Sequence, residues 1–408
     1  MTNHRYGQSS PQVQYSAYCV LAFTIALALI GATPSAQGQT YSVLYTFTGG
    51  PDGANPMGTL VRDGAGNLYG TTYTSGTASG CAPGTGCGTV FEFTKAGKLK
   101  VLYTFTGGND GGNPTTGLVR DSAGNLYGTA DWAGQFGAGV AYVVPKTGGQ
   151  TALYAFKSGP SDVSPPISGL TRDSAGNLYG TGEVGGTNGV GAVFEISGTS
   201  EKLLYSFLHN SSDAGAPWGG VVRDSAGNLY GTTKFGGTNG VGTVYKLNSA
   251  GNESWVYSFP GTPGEQIAFA GVIRDSKGNL YGTTYNGGAF GSNGTVYELN
   301  KSGTQTTFLF SFNQTDGGEP YAGVVRDKAG NLYGTTTMGG ANAAGAVFKI
   351  DTSGNETVLH SFNGADGADP YGGLALDSKG NLYGVARDGG GSKACANSGC
   401  GVIFKITP

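Results

Sequence analysis

The residues that could do acid–base chemistry in this chain are few and widely separated. Glu183, Lys234, Arg387 and Asp388 are of the right types. They would have to converge in space, with pKa values moved toward neutrality, to act as acid and base. Beyond the N-terminal leader only His209 and His360 remain, without a His-x-x-x-His or His-Glu pairing. No Gly-x-Ser-x-Gly elbow and no phosphate-binding loop occurs. No residue is assigned a catalytic role, and nothing calls for a cofactor.

Three recurring sets of positions carry more information. The first is Met57, Thr115, Ile167, Trp218, Phe269, Tyr321 and Tyr371, with four consecutive aromatics. Flat aromatic faces beside polar groups suit sugar rings, although the same residues could plug a channel and cover nearby glycines. The second is Tyr73, Trp132, Glu183, Lys234, Tyr285, Thr337 and Arg387, whose chemistry changes from member to member. A recognition surface would vary in this way, and so would drifting exposed loops. The third is the acids Asp52, Asp110, Asp162, Asp213, Glu265, Asp316 and Asp366. Converging carboxylates could hold Ca²⁺, but an acid capping its own loop before Gly and Pro explains the pattern without one. No metal site is expected.

These sets recur because the chain is a tandem repeat. Arg-Asp-x-x-Gly-Asn-Leu-Tyr-Gly stands at residues 62–70, 120–128, 172–180, 223–231, 274–282 and 326–334, and 376–384 repeats it with Leu376 in place of Arg. Each unit reads as four strands. Strand a is typified by Gly117–Arg120 and strand b by Asn-Leu-Tyr-Gly-Thr. Strand c is typified by Gly242–Leu247 and strand d by Trp255–Phe259. Residues of high β-propensity separated by Asp- and Gly-containing turns define them. Four strands per roughly 50 residues is the period of a propeller blade. A blade has a neighbour on each face, so strands c and d are expected to be apolar on both. The repeat is preceded by a lone d strand, Tyr41–Phe47, and closes on a lone c strand, Gly401–Ile406. The reading is an all-β, seven-bladed propeller over residues 39–408, in which the first strand completes the last blade and removes free edges. The motif Arg and Asp are expected to form ion pairs and turn caps, and the second and third sets to share the channel face with the first.

Gly contributes 78 of 408 residues, yet 38% are apolar and 11% aromatic, which argues for a packed β-protein. A net charge of −3 without a Lys/Arg cluster excludes the electrostatic footprint of a nucleic-acid binder. His4 and Arg5, the apolar run Cys19–Ile30 and the small residues after it predict a cleaved signal peptide over residues 1–38. The run is shorter than the roughly 20 residues that span a bilayer, so no membrane span is expected in the mature chain. Cys81 with Cys87, and Cys395 with Cys400, are expected to form local disulfides in an oxidising compartment.

The units Gly-Leu-Val-Arg-Asp-Ser-Ala-Gly-Asn-Leu-Tyr-Gly-Thr, Gly-Thr-Val-Tyr-Glu-Leu and Tyr-Ser-Phe…Asp-Gly…Pro resemble the GloVer tandem repeat of exported bacterial "choice-of-anchor" proteins over residues 40–408. The Asp-x-x-Gly-Asn-Leu-Tyr core is also similar to NHL propeller repeats. The resemblance implies a cell-surface or secreted bacterial protein and brings no catalytic residues. Lys405-Ile-Thr-Pro408 lacks the apolar tail of anchored members. The expected function is binding of a glycan or cell-wall polymer at the channel mouth. The alternatives are a polysaccharide hydrolase or lyase using acids there, and a structural partner for a surface protein. The expected assembly state is a monomer.

Overall fold

The computed structural model describes residues 39–76, 81, 86–208, 214–261, 267–303, 306–395 and 398–407. The leader and its apolar run lie outside them. Seven four-stranded antiparallel sheets form the blades, each in the order a-b-c-d. In blade 1 these strands are Val61–Arg62, Leu68–Thr72, Thr89–Phe93 and Leu99–Thr104. Strand a is only two residues long in every blade, shorter than the sequence suggested.

Closure follows the expected route. Thr40–Thr46 pairs antiparallel with Val402–Thr407, from Thr40 opposite Thr407 to Thr46 opposite Val402. It thereby becomes strand d of the seventh blade. Tyr41 on this strand stacks on His360 of blade 6 at 3.6 Å and donates to the Asp366 carbonyl at 2.7 Å.

The core lies between blades. Strands b and c are buried on both faces, as in Leu68–Thr72 and Thr89–Phe93, whereas strand d is half-buried. The expectation of two buried faces thus holds for c and fails for d, because d is the outer edge of a sheet that splays from its neighbours with distance from the axis. One three-part contact repeats at every interface. The Phe after strand d, such as Phe105, meets the strand c aromatic of the next blade, Tyr142, edge-on at 5.1 Å. That aromatic covers the motif glycine of its own strand b, and a Cβ at Gly128 would lie 2.6 Å from the Tyr142 hydroxyl. Glycine is therefore required at this motif position by close packing.

The motif Asp caps the a–b turn. Asp63 accepts from the Gly66 and Asn67 amides at 2.8 Å, from Asn67 Nδ2 and from Tyr69 Oη. Among the described residues the motif Arg does not pair with it. Instead Arg120 lies over the Tyr69 ring of the preceding blade at 5.5 Å, and five other copies repeat the contact at 5.3–5.8 Å. The Asp is already saturated by its own turn, so the Arg is left to bridge blades. Cys81–Cys87 and Cys395–Cys400 are disulfide-bonded. No helix among the described residues is long and apolar enough to cross a membrane.

Candidate functional site

The short a strands approach one another around the axis. A Cβ at Gly58 would sit 2.4 Å from the Thr116 carbonyl of the next blade, so the innermost strand must be glycine-rich. A strand b threonine ties most neighbours together: Thr232 Oγ1 donates to the Ala270 carbonyl at 2.8 Å, and Thr335 Oγ1 to that of Gly372 at 3.0 Å. Blade 7 has Val385 at this place. Its contact to blade 1 is made by the Gly373 amide donating to Thr59 Oγ1 at 3.0 Å.

Above this collar the d–a and b–c loops pair with each other. Ala54 bridges Thr74, Gly112 bridges Trp132 and Ala368 bridges Asp388, and in blades 3 and 4 the bridge widens to Val163–Ser164 with Val184–Gly185 and Ala214–Gly215 with Phe235–Gly236. The paired loops wall an axial cavity of about 710 Å³. All seven members of the first set line it.

The cavity is two-sided. On blades 4–7 the aromatics pack on one another: Trp218 meets Phe269 edge-on at 5.3 Å, Phe269 stacks with Tyr321 at 5.2 Å, and Tyr321 meets Tyr371 at 4.4 Å. Tyr285 joins them, 4.9 Å from Phe269. These rings are half-buried, so they form a wall and leave the cavity open. On blades 1–3 the lining is Met57, Thr115 and Ile167, with Tyr73, Asp131 and Glu183 above them.

The second set divides. Tyr73, Glu183 and Arg387 line the cavity. Lys234 pairs with Glu183 at 3.7 Å and lies over Trp218, Phe269 and Phe235 at 5.1–5.5 Å. Burial raises the Glu183 carboxyl, and Lys234 partly offsets that. Tyr285 donates to Glu319 Oε2 at 2.6 Å. Thr337 is buried and donates to the Glu319 carbonyl. Arg387 pairs with Asp369 at 3.3 Å and covers Tyr371 at 5.1 Å. Asp388 accepts from Asn55 Nδ2 at 2.9 Å. The four acid–base candidates therefore stand as two groups, Glu183 with Lys234 on blades 3 and 4, and Arg387 with Asp388 on blade 7.

Trp132 is outside the lining, 55% exposed. The cavity position in blade 2 belongs to Asp131, three residues after the motif glycine, the offset that also gives Tyr73, Glu183 and Arg387. Counting from Gly128 would have found it. Asp131 Oδ1 is buried without a hydrogen-bond partner among the described residues, and burial pushes this carboxyl up to about 7. A second group also went unread. Asn55, Asn113, Ala216, Glu319 and Asp369 immediately precede a proline and have φ of 52–56°. Non-glycine residues rarely adopt this region. Burial raises the Asp369 carboxyl to about 6 against the pull of Arg387.

The described acids of the third set turn into their own loops. Asp52 accepts from Tyr45 Oη and the Thr48 amide, Asp110 from Tyr103 and Thr106, and Asp162 from Tyr154 and Lys157. Asp316 and Asp366 accept from the Asn313 and Asn363 amides. Asp213 and Glu265, like His209, lie outside the described residues. Loop capping accounts for the described members of this set.

A family model described as the Gloeobacter/Verrucomicrobia repeat matches residues 30–194 and 168–396. No curated protein matches the chain. Among solved structures, the extracellular domain of a protein described as a one-component system from B. thetaiotaomicron aligns with a TM-score of 0.53 at 8% identity, over 90% of this chain. The present chain spans 39% of the length of that one. A protein described as a 6-phosphogluconolactonase, from Bacteroides fragilis, aligns with a TM-score of 0.50 at 14% identity, over 78% of this chain and 86% of its own. At such identities the likeness speaks for the propeller fold alone.

Proposed function

Since the chain belongs to the Gloeobacter/Verrucomicrobia repeat family, we propose that it is an exported binding propeller whose axial cavity takes a glycan or cell-wall polymer. The observation that carries this reading is the one-sided aromatic wall. Trp218, Phe269, Tyr321 and Tyr371 present half-buried rings to a cavity of about 710 Å³, with polar groups on the facing rim. Sites for small ligands have volumes of roughly 300–1,000 Å³, apolar walls and a few placed polar groups. The motif residues that all seven blades share are absorbed by packing and turn capping, which leaves the differing positions free for recognition. Two disulfides suit an oxidising compartment outside the cytoplasm.

Binding of the chain to a polysaccharide array tests the proposal. Trp218→Ala and Tyr371→Ala are expected to weaken the positive signals at least about tenfold, the loss of roughly 1.4 kcal/mol of contact. Retention of full binding by both variants would overturn the assignment of the site. Release of reducing ends or unsaturated sugars, abolished by Glu183→Ala, would replace binding with catalysis.

A further inference from the structure

Among the described residues the rim of the cavity carries more carboxylates than cations, and all but one of those carboxylates are matched. Glu183 has Lys234, Asp369 has Arg387, Asp388 has Asn55 and Glu319 has Tyr285. Both cations are occupied as well, Lys234 among aromatic rings and Arg387 over Tyr371. Asp131 is the exception among the described residues, because it lines the cavity without a cation or side-chain donor paired to it, and its buried Oδ1 has no hydrogen-bond partner. In a ring of seven, blade 2 faces blades 5 and 6, so Asp131 stands across the axis from Phe269 and Tyr321.

We infer that the cavity selects ligands carrying a free ammonium group on a ring with an apolar face, of which an amino sugar with an unacetylated amine is the fitting class. The ammonium would set a positive charge beside the Asp131 carboxylate, which has no cation of its own among the described residues, while the ring's apolar face would lie on the aromatic wall. A buried charge is costly when alone and favourable when paired by a hydrogen-bonded counter-charge, so the unmatched carboxylate biases the site toward cations. An anionic ligand would meet the same carboxylate with no free cation among the described residues to compensate. The inference rests on the axial cavity being the binding site.

Calorimetry on the full chain at neutral pH tests it with three oligosaccharides of equal length: a fully deacetylated glucosamine oligomer, its N-acetylated counterpart and a glucose oligomer. The expected result is binding of the deacetylated oligomer about tenfold tighter than either neutral one, the size of one charge-assisted hydrogen bond of about 1.5 kcal/mol. Asp131→Asn should bring the three within about twofold of one another. Trp218→Ala should weaken all three. Asp351→Asn, at an exposed turn away from the cavity, should leave the preference intact and so excludes general attraction of a polycation to an acidic protein. Equal binding of the three by the unaltered chain, tighter binding of the acetylated form, or an unchanged preference in a folded Asp131→Asn variant overturns the inference while leaving the glycan reading standing. Absence of binding by all three, with binding of other polymers on the array insensitive to Trp218→Ala, removes both.

Discussion

Two kinds of buried oxygen measure how far single residues depart from what their positions in the repeat require. Tyr142, Tyr245 and Tyr297 bury their hydroxyls without a partner among the described residues, whereas Phe91, Phe194, Phe348 and Phe404 fill the same place in the other blades. An unpaired buried hydroxyl costs free energy that removing it recovers. Tyr142→Phe is therefore expected to leave the thermal midpoint unchanged or to raise stability by up to about 1 kcal/mol; a clear fall in the midpoint would refute the reading. Asp131 is the second case. Its folded-state pKa of about 7 lies above the usual 3.8, so the folded chain holds this proton more tightly than the unfolded chain. Its contribution is complete below about pH 4 and is lost as pH rises through about 7. Asp131→Asn should match the unaltered chain near pH 4 and exceed it in thermal midpoint by about pH 8. The capping carboxylates behave oppositely. Burial pushes Asp63 and Asp121 up, but turn hydrogen bonds outweigh it and hold them below the usual range. Their support is present at neutral pH and fails as pH falls below about 4.

At the scale of the blade, the motif Arg shows why a sequence pattern can be read correctly and its partner wrongly. Arg and Asp adjoin in six copies, which invites an ion pair, yet they lie on consecutive residues of a two-residue strand and its turn. Each is used by a different neighbour: the Asp by its own turn, the Arg by the Tyr of the preceding blade. Blade 7 is the internal control, since it carries Leu376 where the other blades place Arg, and Leu376 and Tyr333 both pack against one buried cluster between blades 6 and 7. Arg120→Ala is expected to cost about 1–2 kcal/mol through lost stem packing and cation–π attraction. Arg120→Leu should cost less, because a leucine already fills that slot once. Equal losses in urea titrations of the two variants would assign the whole effect to the charge. The same scale explains why Trp132 stands outside the cavity. In Ala130-Asp131-Trp132 the large aromatic draws the eye, but a one-residue offset at the end of strand b turns it out of the cavity and puts Asp131 inside.

For the molecule as a whole, the ring must close on itself, and the closure is held by one non-local strand. Thr40–Thr46 supplies the last edge pairing and the Tyr41 stack on His360, and Phe47 directly after it meets Phe91 at 5.4 Å. The Cys395–Cys400 bridge packs beside it, 2.8 Å from where a Gly49 Cβ would stand. Deleting residues 40–46 should leave Val402–Thr407 as an open edge, lowering the thermal midpoint sharply and promoting aggregation. A truncated chain that remains monomeric by light scattering, with an unchanged midpoint, would contradict this account.

The blade count, the closing strand, the first set of cavity residues and the local disulfides were all legible in the chain. Each follows from periodicity or from partners a few residues apart, and repetition states such rules seven times over. Only the folded ring decided which charges are matched. Asn55 reaches Asp388 and Arg62 reaches Tyr383 only because the first and last blades meet. Tertiary structure likewise decided that Asp131 Oδ1 is buried without a partner among the described residues, since desolvation belongs to the cavity that seven blades enclose and to no single segment of sequence.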